Sequence, residues 1–231
     1  MARIHKSSLT RLQIMKVATK MFLENGYSST SAKAICKELD MSTGNLTFYF
    51  PSKEHLLAEL TDMLCGFQWE LTKQETSEGE SYIMAICLEL VAMAALCEAD
   101  PVARDFYLST YTSPMCLNII RRNDSKRAQM VFKDYQPDWT SEDFDVAEIV
   151  VSGIEYGLLM KPEGSASLTD RIYAALKSIL FLYGVGKDEA HAIIDHILEM
   201  NYNDLGKRFM EGFKEFVNKS NEQALLDLLQ I

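Results

Sequence analysis

The sequence predicts an all-α protein of about ten helices, in which a three-helix N-terminal head is joined to a larger helical bundle. Strict period-2 alternation is almost absent along the 231 residues, whereas apolar residues recur at helical spacing. The 11 glycines and 5 prolines fall mainly at apparent helix ends. With 48% hydrophobic and 24% charged residues, the composition is that of an ordinary globular chain with a sizeable core.

The elements follow in order. A first helix is expected from an N-cap near Ser8 or Thr10 to Asn25, with Leu12, Met15, Ala18, Met21 and Phe22 inward and Gly26 as its stop. Thr30 should cap a short helix running to Leu39, with Lys33 and Lys37 outward. Asp40-Met41-Ser42 makes a turn, and Ser42 caps a second short helix that Pro51-Ser52 ends at Phe50. Ser52 caps a longer helix to about Thr72, and the polar stretch Lys73 to Glu80 separates it from an apolar helix at 81–99. Asp100-Pro101 opens the next with Asp as cap and Pro at the first helical position. Further helices are expected at about 113–134, 142–160, 168–184, 187–202 and 204–219. The predicted domains are residues 1–60, with a helix-turn-helix at about 31–50, and residues 61–231.

Charge is uneven along the chain. Residues 1–60 hold eight lysines and arginines against five acids, a net of +3, so the remainder carries −13 of the overall −10. A mildly basic head on an acidic body suits a protein that meets phosphate at one end only. The five cysteines form no C-x-x-C pair and lie in apolar or helical patterns, which predicts free thiols in a reducing compartment. No apolar signal-peptide segment follows the N-terminal residues, so a cytoplasmic protein is expected. Ser81 to Cys97 is too short for a membrane span, carries Glu89 and lacks basic flanks, so it reads as a buried helix and no membrane partner is expected.

The most specific pattern spans residues 22–57. It runs through Phe22-Leu23-Glu24-Asn25-Gly26-Tyr27, Ser28 to Ser31, Ala34-Ile35-Cys36, Met41-Ser42-Thr43-Gly44-Asn45-Leu46, Phe48-Tyr49-Phe50 and Ser52-Lys53-Glu54-His55-Leu56-Leu57. With these types and spacings, residues 8–60 resemble the DNA-binding domain of the tetracycline-repressor-like (TetR) family. Where that family usually has tyrosine directly after the leucine, this chain has Thr47, followed by Phe48 and Tyr49. The physics of a helix-turn-helix points the same way: the second helix must be short and present small or polar groups to a major groove about 12 Å wide. Thr43, Gly44, Asn45 and Thr47 suit base edges, with Leu46 and Phe50 as anchors. Tyr49, Ser31, Lys33 and the helix start at Lys53 suit phosphates.

No nucleophile elbow, zinc-binding pair or phosphate loop is present, so neither catalytic residue, cofactor nor metal is expected. His191 and His196, five apart, do not share a helical face. Glu89, amid Ile83, Ile86, Leu90, Met93 and Leu96, needs a partner, either a body residue such as Arg104 or Arg121 or a ligand. The resemblance implies an effector cavity and a dimer interface in the body, with release transmitted through the Lys53–Thr72 connector. Phe67, Glu89, Met93, Phe106, Tyr107, Tyr111, Met115 and Tyr156 are the candidate lining, suited to a hydrophobic effector with a cationic or hydroxyl group. Val146, Ile149, Gly153 and Gly157, with Ile172, Ala175, Ile179 and Leu182, form the candidate homodimer face. The reading is thus a ligand-responsive repressor of a palindromic DNA operator. An activator, an effector-independent regulator of the same fold and a helical interaction protein without DNA binding are the alternatives.

Overall fold

The structure, a computed structural model, describes residues 2–77, 81–160, 164 and 166–229. Eleven helices and no strand are found among the described residues. They are α1 (Ala2–Asn25), α2 (Ala32–Glu38), α3 (Thr43–Tyr49), α4 (Lys53–Ser77), α5 (Tyr82–Ala99), α6 (Pro101–Thr112), α7 (Pro114–Phe132), α8 (Ser141–Leu159), α9 (Leu168–Leu182), α10 (Lys187–Leu198) and α11 (Tyr202–Leu229).

The caps explain most boundaries. Ser81, Asp100 and Ser113 accept from the backbone N–H of Met84, Val102 and Cys116, and Pro101 and Pro114 occupy first-turn positions where no N–H is needed. Thr140 and Asp143 form a reciprocal capping box on α8. Three boundaries differ from expectation. Helix α1 already includes Ser8 and Thr10, and the Thr10 hydroxyl bonds back to Lys6 O at 2.9 Å instead of capping. Ser31, not Thr30, caps α2. The expected break over Lys73 to Glu80 is shorter, because α4 continues to Ser77; residues 78–80 lie outside the described residues.

Helix α5 is the axis of the body. Thirteen of its 18 residues are buried, so although it is long and apolar enough to cross a bilayer, that surface is covered by α4, α6 to α9 and α11. Helix α11 comes closest, because a Cβ added at Gly206 would lie 3.0 Å from both Ala92 O and Leu96 N of α5. Phe67 packs against Phe209, Phe213 and Phe216 of α11, and Phe132, Phe144 and Tyr183 stack between α7, α8 and the end of α9. All five cysteines are buried and free.

The expected dimer stripe divides in two. Val146, Ile149, Gly153 and Gly157 are on the solvent face of α8. Ile172, Ala175 and Ile179 of α9 are instead buried within the chain, and Leu182 is partly buried. An apolar stripe at helical spacing shows that a face is covered, not by which chain.

Gly206→Ala puts two effects in opposition. Alanine inside a helix ordinarily gains about 1 kcal/mol over glycine, but overpacking against the α5 backbone costs about 1–3 kcal/mol. The close approach wins, and the variant should unfold at lower urea concentration than the parent; a higher midpoint contradicts this packing.

Candidate nucleic-acid interface and internal cleft

Helices α1 to α3 close around Ile14, Phe22, Ile35, Leu46 and Phe50, all nearly without exposure. The α2–α3 turn is set locally. Asp40 takes a left-handed conformation (φ 49°), one that Asp tolerates better than most side chains. Met41 N then reaches Cys36 O at 2.9 Å, and the Ser42 hydroxyl accepts from Asn45 N at 3.1 Å to start α3. With Leu46 and Phe50 turned inward, α3 presents Thr43, Gly44, Asn45, Thr47 and Phe48 to solvent, Phe48 at 77% exposure. The Thr47 hydroxyl is engaged with Gly44 O, and Tyr49 lies partly buried edge-on to Phe48. Ser31 and Lys33 are exposed on the first turn of α2.

Lys53 differs from expectation. Its ammonium donates to Tyr27 O at 2.8 Å and Thr30 O at 2.9 Å and sits 3.8 Å from the centre of the Tyr27 ring. Partial burial lowers its pKa, against which Asp105 acts. Its charge therefore ties α4 to the α1–α2 turn instead of facing outward to phosphate. The same turn meets the body through Ser28 N, which donates to Asp105 Oδ2 at 2.8 Å, while at the start of α4 Glu54 accepts from the Ser113 hydroxyl at the start of α7. Gly26 (φ 89°) allows this approach, since a Cβ there would lie 2.8 Å from Asp105 Oδ2.

A narrow internal cleft with about 50 Å³ of water-accessible volume is lined by residues of helices α4 to α9. Three of the eight expected lining residues, Glu89, Met93 and Tyr111, line it. Phe67, Phe106 and Tyr107 do not, because their rings are buried among the aromatic residues of the bundle interior; Met115 lies in a separate surface groove beside Tyr49, and Tyr156 is outside the cleft. Glu89 is paired within the body, as one of the two expected readings had it, but with a different arginine from the two named. Arg127 holds it with a two-bonded fork (2.5 and 3.2 Å), and Gln68 adds a bond at 2.6 Å. Arg104 instead bonds Cys97 O, and Arg121 bonds Ser152.

Three further carboxyls line the cleft: Asp124, Glu148 and Glu155. Asp124 is 3.5 Å from Arg127, Glu155 accepts from the Tyr111 hydroxyl at 2.9 Å, and Glu148 accepts from Tyr183 through one oxygen while Oε2 has no hydrogen-bond partner. Burial pushes Asp124 up to about 7 and Glu148 up to about 8, and raises Glu155 well above the carboxylate range. The sequence reading missed these acids. Their signal was present: Phe144, Glu148, Val151 and Glu155 repeat at helical spacing, placing two acids on the inward stripe of α8.

Residues 14–60 match the family model described as bacterial regulatory proteins, tetR family. The chain is 32% identical over 114 residues to the HTH-type transcriptional regulator HbdR of Aromatoleum sp. (strain CIB), covering 48% of each chain. It is 48% identical over 48 residues to the HTH-type transcriptional regulator UidR of Escherichia coli (strain K12), covering 21% of this chain and 24% of that one. The matched stretches thus span less than half of these relatives. A solved gamma-butyrolactone receptor (ArpA-like protein) superposes with a TM-score of 0.45 at 19% identity, covering 89% of this chain and 98% of that one.

Two outcomes follow. Lys53→Ala should cost about 1–3 kcal/mol of stability by leaving two carbonyls without their charged donor; unchanged denaturant stability with weakened DNA binding would return Lys53 to a phosphate role. Glu148 is neutral in both states at low pH. As pH rises above about 4.3 the unfolded chain ionises it first, so its burial lowers stability progressively until the folded carboxyl ionises near pH 8. Glu148→Gln should therefore gain about 2 kcal/mol, roughly 4–8 °C in Tm, relative to the parent at pH 8 over its effect at pH 5. An equal effect at both pH values contradicts the buried neutral carboxyl.

Proposed function

Because residues 14–60 make this chain a TetR-family helix-turn-helix transcriptional regulator, we propose that it is a ligand-responsive repressor holding a palindromic operator as a homodimer in the cytoplasm. The observation that carries the DNA-binding part is α3: two buried anchors fix it while Thr43, Gly44, Asn45, Thr47 and Phe48 are left to solvent. In the major groove the Asn45 amide offers a donor and an acceptor to a base edge, and Phe48 offers an apolar surface to thymine methyl groups. Ser31, Lys33 and Tyr49 flank it toward phosphates.

Residues 1–60 act as the head and residues 61–231 as the body. The exposed α8 residues Val146, Ile149 and Val150 (58, 54 and 52%) support a self-association face, next to Gly153 and Gly157, where an added Cβ would meet nothing within 4 Å. A two-fold dimer presents two heads to half-sites about one helical turn apart. The internal cleft takes the effector. Its walls reach the head through Asp105 on Ser28 and Ser113 on Glu54, so a ligand that rearranges α6 and α7 moves the heads. A 100-fold loss of operator affinity needs about 2.7 kcal/mol of differential binding between the two arrangements.

A gel shift with DNA upstream of its own gene tests the reading as a whole, and absence of any retarded complex removes it. Asn45→Ala and Thr47→Ala should each relax preference at particular base pairs by about 1–3 kcal/mol, whereas Lys33→Ala weakens all sequences alike and flattens the salt dependence; identical behaviour of the three removes the role assignment. Ile149→Arg should give a folded monomer by light scattering, and an unchanged dimer moves the interface off α8.

A further inference from the structure

A second space lies where the head meets the body. A groove with about 560 Å³ of water-accessible volume runs between α1 and α11, against about 50 Å³ in the internal cleft. Its α1 wall carries Lys16 and Lys20, one helical turn apart, and its α11 wall carries Lys214, so three ammonium groups border one space. None of the three has a hydrogen-bond or ion-pair partner among the described residues, although Glu24 and Glu38 also border the groove. Three lysines against two acids leave the groove net positive in a chain whose overall charge is −10.

Thr19 points the same way on different grounds. It sits in the α1 wall at 6% exposure, and its hydroxyl has no hydrogen-bond partner. A threonine inside a helix commonly returns its hydroxyl to the carbonyl four residues back, as Thr10 and Thr61 do here. Leaving a buried hydroxyl without a partner costs free energy, and an acceptor seated in the groove removes that cost. Between the charges, Val17, Met21 and Val217 form an apolar floor, and Asn218 and Asn221 add amide donors from α11.

We propose that this groove binds an amphipathic organic anion, a carboxylate or phosphate monoester on a short apolar body, with Lys16, Lys20 and Lys214 as its counter-charges and Thr19 as a hydroxyl donor. A single exposed ion pair contributes little in water, but several donors converging on one anionic group hold it far better. The floor of Val17, Met21 and Val217 takes the apolar body of the ligand. Because one wall is α1 of the head and the other is α11 of the body, an occupant touches both units at once. The site is independent of the internal cleft and of what that cleft binds. The phosphates of a DNA backbone offer the same charge without the apolar body, and the experiment separates the two sources.

The test is calorimetry on the full chain without DNA, with hexyl phosphate and hexanoate against inorganic phosphate, hexanol and hexyltrimethylammonium. The expected result is at least about 10-fold tighter binding of hexyl phosphate than of hexanol or the ammonium, and about 5-fold or more over inorganic phosphate. Lys214→Gln and the double variant Lys16→Gln/Lys20→Gln should each weaken both hexyl anions about 5-fold or more while the Tm without ligand stays that of the parent, since exposed unpaired lysines contribute little to the fold. Thr19→Val exchanges an unpartnered buried hydroxyl for a methyl group of the same shape. It should therefore raise the Tm of the free protein and still lose about 3-fold or more in anion affinity, a combination that a purely structural Thr19 does not give. Binding of neither anion at millimolar concentration, equal binding of inorganic phosphate or of the ammonium, or anion affinity unchanged by the lysine or Thr19 substitutions overturns the proposal. Titration of duplex DNA distinguishes the sources: Lys214→Gln should bind it as the parent does, and weaker binding with a flattened salt dependence would give the groove to the DNA backbone and overturn the small anion.

Discussion

The fork between Arg127 and Glu89 is the constraint around which the body is arranged. A carboxylate at the middle of a helix buried on nearly all sides needs a matched charge, or the helix could not occupy the axis. Meeting that demand fixes α7 against α5 at one depth, and Gln68 brings α4 to the same point. Breaking such a pair by removing one member costs about 3–5 kcal/mol, far more than its net worth against an apolar substitute. Its contribution is therefore to register rather than to bulk stability. The cleft is a consequence: the helices that meet at a polar pair cannot close into a wholly apolar interior, and the remaining acids of α7 and α8 gather along the gap.

The head obeys a different logic. It is small, and its geometry comes from caps, one left-handed turn residue and a single lysine donating to two carbonyls. These are local devices worth about 1 kcal/mol apiece, and they fix α3 because Leu46 and Phe50 bury on the same side. Two polar contacts join the head to the body, a backbone N–H on Asp105 and a hydroxyl on Glu54, beside the packing of α1 against α6 and α11.

Much of this was legible from sequence because it is local. Ser42 before Thr43, Asp100 before Pro101 and the glycine after Asn25 announce helix ends through chemistry confined to a few residues, and the 22–57 pattern carried the solvent-facing surface of α3. What was not legible depends on distance along the chain. Glu89 visibly needed a partner, but Arg127 lies 38 residues away on a helix whose rotation no local pattern reports. Lys53 reads as a phosphate ligand at a helix start, and only the fold brings Tyr27 and Thr30 carbonyls beneath it. The Ile172, Ala175 and Ile179 stripe was correctly apolar and misassigned in partner, since burial within a chain and burial between chains leave the same periodicity.

Selection of bound sequences from a random DNA pool by the full-length protein tests the central claim most directly, since it requires neither a known operator nor a known effector. The account predicts enrichment of two inverted half-sites at one fixed spacing, as two identical α3 helices on a two-fold dimer impose. Enrichment of a single unrepeated site, or a pool unchanged by selection at moderate salt, would contradict it.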